Sequence, residues 1–440
     1  VQQAFFKKNE KVHSVILTTE FVSAQEGTGL VHCAPGHGPE DFQVGHIENG
    51  LPAFSPLDDE GRYKEEGGKF KGKYVFDANS EIIELLKEKG TLIAAGEIDH
   101  EYAHCWRCKT PLVYQVLDQW YLKTSALSDR MIKENKKINW YPSFAGDKNF
   151  DMWLQNLQDW CISRQRFWGI PLPVWICDEE DCENIFVAGS RADIESVSGQ
   201  QPEDLHRPWI DGVTFPCEKC KKGKMKRVED VVDVWLDSGC VMWASNEAVY
   251  GDDYELGPKE YDKWKPADFI LEGKDQIRGW FNSLMSCGML ASDRPTYKNC
   301  VMHGFVTFEG EPMHKSRGNV VAPEEAIKRR GAETFRLYCI INMSMGDDLN
   351  FYWREFDDTY KIINTLWNSY YYANNVFELF NFKTKVKSLG DLLKKNKNVE
   401  DKWLISRLNS VIKKTTDQLE IYDMPRYAKT LRDFIVNDIS

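Results

Sequence analysis

Apolar residues set different rhythms along the chain. Phe356, Tyr360, Ile363, Trp367, Tyr370, Phe377 and Phe380 follow one another at steps of three, four or seven, and Leu404, Leu408, Val411, Ile412 and Leu419 repeat the pattern. That spacing predicts amphipathic helices, with Asp423 and Pro425 opening a further one. Residues 349–440 are therefore expected to form an all-α bundle. Residues 266–345 alternate instead: "ADFILEG" reads as a strand, "GWFNSLMSCGML" as a helix and "NCVMHGFVTF" as a strand. Such alternation predicts a parallel α/β layer over 229–348. Residues 1–104 mix short β-like runs (Ser14–Thr18, Leu30–Cys33, Tyr74–Phe76) with glycine-rich turns. One helix is expected there, over Ser80–Lys89, capped by Asn79 or Ser80 and stopped by Gly90. Residues 105–175 lead into the α/β core, and 176–228 read as a short, polar, loop-rich insert.

Composition narrows the class. A chain of 440 residues, 42% hydrophobic, is long enough for several domains with substantial cores. Its net charge of −12 argues against a generic nucleic-acid coat, though a local basic face is compatible with it. Such a face is offered by Lys383, Lys385, Lys387, Lys394, Lys395, Lys397 and Lys402. That run reads either as a solvated loop or as a contact to RNA phosphates. No apolar run reaches membrane-spanning length, so no membrane partner is expected. No secretion signal opens the chain. It starts at Val1 and stops at Ser440 within a helical pattern, which suggests an internal fragment.

The 12 cysteines in this setting point to a reducing, cytosolic compartment rather than a disulfide scaffold. Cys177 and Cys182 form one close pair, and Cys217 and Cys220 another. Two tight knuckles can present four thiolates to a single structural zinc ion. The alternative is four reduced thiols in an insert too short to bury a core of its own. Cys105 and Cys108, in "HCWRC", form a lone knuckle: half a metal site whose other ligands lie elsewhere, or two buried thiols.

"GEPMHKSRGN" (310–319) sets Lys315 and Ser316 on a glycine-bounded stretch with His314 and Arg317 beside them. Transfer of a phosphoryl or nucleotidyl group is mostly positioning and charge stabilisation, which a mobile loop carrying a lysine can supply. Upstream, "VMHGFV" reads as a strand running into this loop. "ILEGKDQIRGWF" reads as a strand, a tight turn at Gly273 and a helix start. Ligands of open α/β sheets bind at such strand ends, which directs Glu272, Asp275 and Gln276 at a ligand. Each stretch alone also fits an ordinary surface loop or helix cap.

Together, "DWCISRQRFWGIPLP" (159–173), "DVVDVWLDSG" (230–239), "EGKDQIRGWF" (272–281) and "PMHKSRGNVV" (312–321) resemble the class I aminoacyl-tRNA synthetases, most closely the isoleucine-specific branch of archaeal and eukaryotic type. "GTGLVHCAPGHGPEDFQVG" (27–45) is similar to the hydrolytic editing domain of that branch. The resemblance implies the C-terminal half of a Rossmann-type catalytic fold, part of an inserted mixed α/β editing domain, a zinc-knuckle insert and a helical region that contacts tRNA. It implies ATP-dependent attachment of isoleucine to its tRNA through an adenylate, with Mg2+ accompanying ATP, in a cytoplasmic monomer. The family's Lys-Met-Ser-Lys-Ser signature here reads Pro312, Met313, His314, Lys315, Ser316. The resemblance therefore leaves Lys315 to stabilise the leaving pyrophosphate, with Ser316 donating a hydrogen bond and His314 and Arg317 adding charge.

By the same resemblance Glu272, Gly273, Asp275 and Gln276 hold the adenylate. His303, Gly304 and Val306 lie near the adenine, and Trp160 and Trp280 wall the aliphatic pocket. Trp235 and Trp264 are expected in ordinary core. A hydrophobic pocket gains only about 1–3 kcal/mol from one methylene, isoleucine against valine being the standing example, so a second, hydrolytic site is needed. There Asp41 would bind the ammonium group of the misattached amino acid, and His32 would sit near the ester. Read without the resemblance, Asp41 is a helix cap and His32 a packed strand residue. The family's His-x-Gly-His is not found in an appropriate position, and is expected before Val1. Two other readings stand beside this one: a non-catalytic RNA-binding paralogue, and the valine-specific enzyme.

Overall fold

The computed structural model describes residues 12, 14–25, 27–105, 107–250, 266–314, 317–383, 388, 390–391, 394 and 398–439, with backbone only over 246–250. The chain divides into two compact units, Val1–Gln119 and Trp120–Ser440. The Cys105–Cys108 turn thus belongs to the first unit rather than to the α/β core expected from residue 105.

The parallel layer forms where the long apolar runs predict it. Strands Asn139–Tyr141, Ile270–Gly273 and Asn299–His303 make a three-stranded sheet with Asn299–His303 in the centre. Both pairings are parallel, with Ile270 opposite Cys300 and Asn299 opposite Asn139. Helix Trp280–Ser292 is the crossover between the last two strands, the connection a parallel pair requires. Its face of Phe281, Leu284, Met285 and Met289 packs with Ile270, Cys300 and Met302 into one core.

The run "NCVMHGFVTF" is not one strand. It breaks at Gly304, where a Cβ would collide with the backbone of Asp347. Beyond the break, Val306–Phe308 enters a second sheet, between Glu311–Pro312 and Leu349–Phe351. The signature loop therefore leaves a short hairpin, not the parallel strand. That hairpin turns through Glu309 and Gly310, both at positive φ (50° and 87°).

The insert is better ordered than its polar composition suggests. Strands Ile185–Val187, Val174–Cys177, Lys224–Arg227 and Phe215–Pro216 form a four-stranded antiparallel sheet in that order. Trp175, Ile194, Ile210, Val213, Phe215 and Met225 are buried together, so the insert has a core of its own. Trp175 also donates its Nε1 proton to Val213 O at 2.8 Å, satisfying the one polar atom that its burial would strand.

Helices Trp353–Leu379, Val399–Glu420 and Met424–Phe434 follow the predicted rhythm. Asp423 caps the last by accepting the Arg426 N–H at 3.2 Å. Of the predicted stripe only Phe356 and Val411 are buried; Trp367, Tyr370, Phe377, Phe380 and Ile412 are exposed.

In the first unit the β-like runs do not form strands; among the described residues there are only isolated bridges, Leu57–Tyr63, Arg62–Tyr74 and His104–Pro111. Val15 and Leu17 remain 85% and 89% exposed. Strand propensity expresses itself only when a neighbouring strand and a buried face exist, and here neither does. The helix expected at 80–89 forms over Asn79–Glu88 and stops before Gly90, at φ 65°. Neither Asn79 nor Ser80 caps it: buried Ala78 occupies the N-cap position, with no side-chain bond.

Candidate functional site

The parallel strands end side by side, with Gly273 directly opposite His303. A Cβ at Gly273 would lie 2.7 Å from Asp275 Oδ1 and 3.6 Å from His303 Cε1. Glycine is needed there for that close approach and not for its backbone angle, which is an ordinary extended one. The two strand ends thereby gather Glu272, Asp275, His303 and Gly304. His303 Nδ1 donates to Gly304 O at 2.6 Å. In a neutral imidazole that bond leaves Nε2 as an acceptor.

Gln276 has both ends of its side chain engaged within the protein. Its Oε1 accepts the N–H of Trp280 at 2.8 Å, capping the crossover helix, and its Nε2 donates to Asp275 Oδ2 at 2.8 Å. It thereby positions Asp275. Asp275 is not itself a cap, since Gly273 occupies the N-cap position of the short 3₁₀ turn Lys274–Arg278. Val306 lies just past the Gly304 break, exposed at the start of its strand.

Two neighbours escaped the sequence reading. Lys274 Nζ lies 2.6 Å from Asp348 Oδ1 and 4.8 Å from the Phe305 ring centroid. The same Asp348 oxygen accepts the Phe305 N–H at 2.7 Å. The Lys274 ammonium, then that N–H, holds the Asp348 carboxyl below its ordinary value. This pair ties the end of strand Ile270–Gly273 to the second sheet. "GK" and "DD" are too common to have signalled it.

Lys315 and Ser316 lie outside the described residues. Among the described residues, the side chain of Asn319 joins the flanks of that stretch. Asn319 Oδ1 accepts the His314 N–H at 2.8 Å, and its Nδ2 donates to Pro312 O at 2.9 Å. Arg317 N–H donates to His314 O at 3.0 Å, and Gly318 turns the chain at φ 67°.

Trp160 and Trp280 are both anchored on the short helix Val234–Gly239, at opposite ends. Trp160 Nε1 donates to Asp233 Oδ2 at 3.1 Å, and Trp280 Nε1 donates to Ser238 O at 3.1 Å. Asp233, only 4% exposed, also accepts Arg164 at 2.8 Å and caps the helix through the Trp235 N–H. Trp235, expected in the core, is 40% exposed. Its ring edge nonetheless reaches the turn before Trp280, where a Cβ on Gly279 would lie 3.3 Å from it. Trp264 lies outside the described residues.

The four insert cysteines converge: their sulfurs all lie within 4.8 Å of one another. Cys177 and Cys220 are 3.6 Å apart, Cys182 and Cys217 3.7 Å. Metal–thiolate bonds of about 2.3 Å in a tetrahedron give sulfur–sulfur edges of about 3.8 Å, so the four thiols can hold one metal ion. Backbone N–H groups, that of Cys220 foremost, bring the Cys217 thiol down to about 6. The Gly223 N–H likewise reaches Cys220 Sγ at 3.3 Å. At Cys177 the Glu179 N–H is outweighed by burial and the neighbouring sulfurs, which push that thiol up to about 12. The case for a metal therefore rests on the convergence of the four sulfurs.

The lone knuckle shares that turn's geometry. Lys221 N–H donates to Cys217 O at 2.8 Å, and Lys109 N–H donates to Cys105 O at 2.8 Å. Both lysines have positive φ, 55° and 62°. Cys108 is exposed, and a hydrogen bond with the Thr110 hydroxyl leads the influences that lower its thiol to about 7. Among the described residues no further ligands join this pair.

In the first unit His32 and His37 line a cavity of about 550 Å³ together with Cys33, Tyr63, Phe76 and Tyr102. Asp41 is not in its wall. Its Oδ1 accepts the N–H of Ala34, a wall residue, at 2.9 Å, so it braces the wall from behind, and its side chain caps no helix. Nor is His32 packed in a strand; it is exposed. Of the lysine run, Lys383, Lys394 and Lys402 are exposed, and Lys385, Lys387, Lys395 and Lys397 lie outside the described residues. No helix among the described residues is long and apolar enough to cross a membrane.

Comparison with known proteins agrees with this architecture. Residues 401–440 match the anticodon-binding domain of tRNA ligases. The isoleucine–tRNA ligase of Methanopyrus kandleri is 42% identical over 99% of this chain and 41% of its own length. That of Archaeoglobus fulgidus is 44% identical over 99% of this chain and 40% of its own length. The chain thus spans about two fifths of these curated relatives. Methionyl-tRNA synthetase of Mycobacterium tuberculosis, bound by methionyl-adenylate, shares the fold at a TM-score of 0.51 and 13% identity, covering 76% of this chain and 54% of that one. Residues 10–352 match the model of the class I tRNA synthetases for isoleucine, leucine, methionine and valine, and the chain belongs to that family.

Proposed function

We propose that this chain supplies the second half of a catalytic domain that joins isoleucine to its tRNA through an adenylate. The observation that carries the reading is the meeting of Glu272, Asp275 and His303 at the ends of two parallel strands. Strand ends of this kind are where α/β sheets bind nucleotides. Asp275, steadied by Gln276, and Glu272 take the ammonium group and the ribose hydroxyls. His303 and the Gly304 break receive the adenine through backbone groups. Lys315 stabilises charge on the departing pyrophosphate, with Ser316 and His314 beside it. Mg2+ accompanies ATP.

Trp160 and Trp280 form rigid walls for the aliphatic side chain. The four insert cysteines hold a structural zinc ion, which staples the insert's sheet. The cavity lined by His32 is the remaining part of a hydrolytic site for misattached valine, and Asp41 acts there by bracing its wall. The helical region and exposed lysines bear on tRNA.

The test is isoleucine-dependent exchange of pyrophosphate into ATP by the gene's whole open reading frame. Exchange with isoleucine, lost about a hundredfold or more in Lys315→Ala, is expected. Equal exchange with valine would shift the reading to the valine enzyme. No exchange with either would leave the RNA-binding reading in front.

A further inference from the structure

The strand ends that gather Glu272, Asp275 and His303 also carry a cation to which the chemistry above gives no task. Lys274 follows Gly273 directly, and Gly273 stands opposite His303 in the sheet. The Lys274 ammonium reaches over to the segment beside the Gly304 break. Its Nζ lies 2.6 Å from Asp348 Oδ1 and 4.8 Å from the centroid of the Phe305 ring. The charge thus sits at the carboxyl ends of the strands, where α/β sheets take their ligands. Glu272, Asp275 and Asp348 are all exposed there. Three carboxylates alone repel a phosphate chain; an ammonium among them gives the chain a place to bind.

A merely structural ion pair would be needed to hold the bend at Gly304, and the bend does not depend on it. Gly304 N–H donates to Asp347 O at 3.1 Å, and Leu349 N–H donates to Phe305 O at 2.8 Å. Phe305 N–H donates to the same Asp348 Oδ1 at 2.7 Å. Those three bonds do not involve the ammonium, and Asp348 keeps a donor when it leaves. The pair is also open to water, with the Lys274 side chain 36% exposed and that of Asp348 43%. Exposed pairs of this kind add little stability, so exchanging one anion for another costs little. Lysine suits the exchange, because its ammonium is a compact charge with three donors on a flexible stem. The Phe305 ring is an uncharged neighbour that the ammonium can keep throughout.

We propose that Lys274 is a phosphate-binding residue of the nucleotide site, held in reserve on Asp348 until ATP arrives. The ammonium then leaves Asp348 for a phosphate oxygen, with no covalent change and no proton transferred. Asp348 remains on the Phe305 N–H. Lys315 brings positive charge to the phosphates from the signature loop, and Lys274 brings it from the strand end. This role deepens the functional reading given above and rests on it.

The test is equilibrium dialysis of the gene's whole open reading frame against labelled MgATP and, separately, labelled adenosine. Lys274→Ala should weaken MgATP about tenfold to a hundredfold, the worth of one hydrogen bond to a charged group, and leave adenosine unchanged. Lys274→Arg keeps the charge and should recover most of the loss. Asp348→Asn keeps an acceptor for the Phe305 N–H but releases the ammonium. It should bind MgATP at least as tightly as the wild type. A purely structural pair gives another pattern, in which Lys274→Ala and Asp348→Asn weaken both ligands alike. That pattern would overturn the proposal. Wild-type binding of MgATP with no change in Lys274→Ala would overturn the proposal alone. No binding of MgATP by the wild type would overturn it together with the functional reading. If Lys274→Ala does not fold, Asp348→Asn decides: weakened MgATP binding overturns the proposal, and undiminished binding supports it.

Discussion

Asp233 fixes Trp160. The indole Nε1 of Trp160 and the guanidinium of Arg164 meet on the same carboxylate oxygen, at 3.1 and 2.8 Å, while the other oxygen caps helix Val234–Gly239. One buried carboxylate thus sets both the orientation of a pocket wall and the start of the helix whose far end holds Trp280. Asp233→Ala removes three acceptor contacts and leaves a half-buried indole N–H without its partner. The expected cost is about 1–3 kcal/mol, moderated because Arg164 can still reach water. Urea unfolding of the two chains measures it. A nitrogen-edited spectrum should show the Trp160 indole proton shifted toward the solvent-exposed position while that of Trp280 keeps its place. An unmoved Trp160 signal would mean that packing alone holds the ring.

A second carboxylate holds the insert to the body. Asp211 lies between Arg207, with Nε at 2.8 Å, and the fully buried side chain of Arg227, with Nε at 2.8 Å. Arg207 also donates to Glu229 O, and Arg227 to Leu172 O and Asp230 O, the carbonyls of the two chains that lead into the insert. Burial pushes the Asp211 carboxyl up, but the hydrogen bonds and charges of the arginines outweigh it and hold it below its ordinary value. A carboxyl lowered on folding adds stability that is complete above about pH 4 and drains away as pH falls toward the lowered value. Asp211→Asn should therefore destabilise the chain by roughly 3 kcal/mol near neutral pH, since it leaves Arg227 buried and uncompensated. The gap to the wild type should close in acid. A gap that stayed constant with pH would show that shape, not charge, is what the asparagine loses.

How much of this was legible in the sequence depends on distance along the chain. The strand–helix–strand unit Ile270–Gly273, Trp280–Ser292 and Asn299–His303 was legible because each piece is a run of apolar residues with its own punctuation. The cysteine cluster was legible because close spacing of ligands constrains geometry directly. Asp233 with Trp160 and Lys274 with Asp348 were not. Each joins residues far apart in the sequence, and a single polar contact leaves no periodic trace. The errors have a shared cause as well. Ser14–Thr18 carries strand propensity without a strand to pair with, and Trp235 is only partly covered, its ring edge lying against Gly279 while 40% of it stays exposed. Composition states what a residue would gain by burial; only the fold states whether a partner is there.

The cysteine cluster predicts one tightly bound zinc per chain. Two sulfur separations, 3.6 and 3.7 Å, are close to a tetrahedral edge, all four sulfurs lie within 4.8 Å of one another, and Cys177 and Cys217 are buried within the insert's own core. Cys217→Ser should lower zinc content to near zero, read by a colorimetric chelator after denaturation, because three thiolates of a closed structural site do not retain the ion. The insert should then lose protection of its amides in hydrogen exchange, while the sheet of Asn139–Tyr141, Ile270–Gly273 and Asn299–His303 keeps its own. Retention of a full equivalent by Cys217→Ser would place the zinc elsewhere, with the Cys105–Cys108 turn the next to examine.

Asn319 ties together the described flanks of the signature loop. Its side chain closes a ring with Pro312 O and the His314 N–H, and Gly318 lets the chain reverse just before it. Both bonds are exposed to solvent and local, so each contributes about 0.5–1.5 kcal/mol and together they set how often the loop opens. Asn319→Ala should leave global stability nearly unchanged, because nothing buried is lost. Local opening should rise about tenfold to a hundredfold, and trypsin cleavage after Lys315 or Arg317 should rise in proportion while opening remains fast relative to cleavage. Asn319→Asp tests which bond matters. The aspartate can still accept from His314 but can no longer donate to Pro312 O. Cleavage close to the wild-type rate would assign the clamp to the His314 bond, and cleavage close to the alanine rate to the Pro312 bond. A wild-type rate in Asn319→Ala itself would show that the hairpin, not the asparagine, sets the loop.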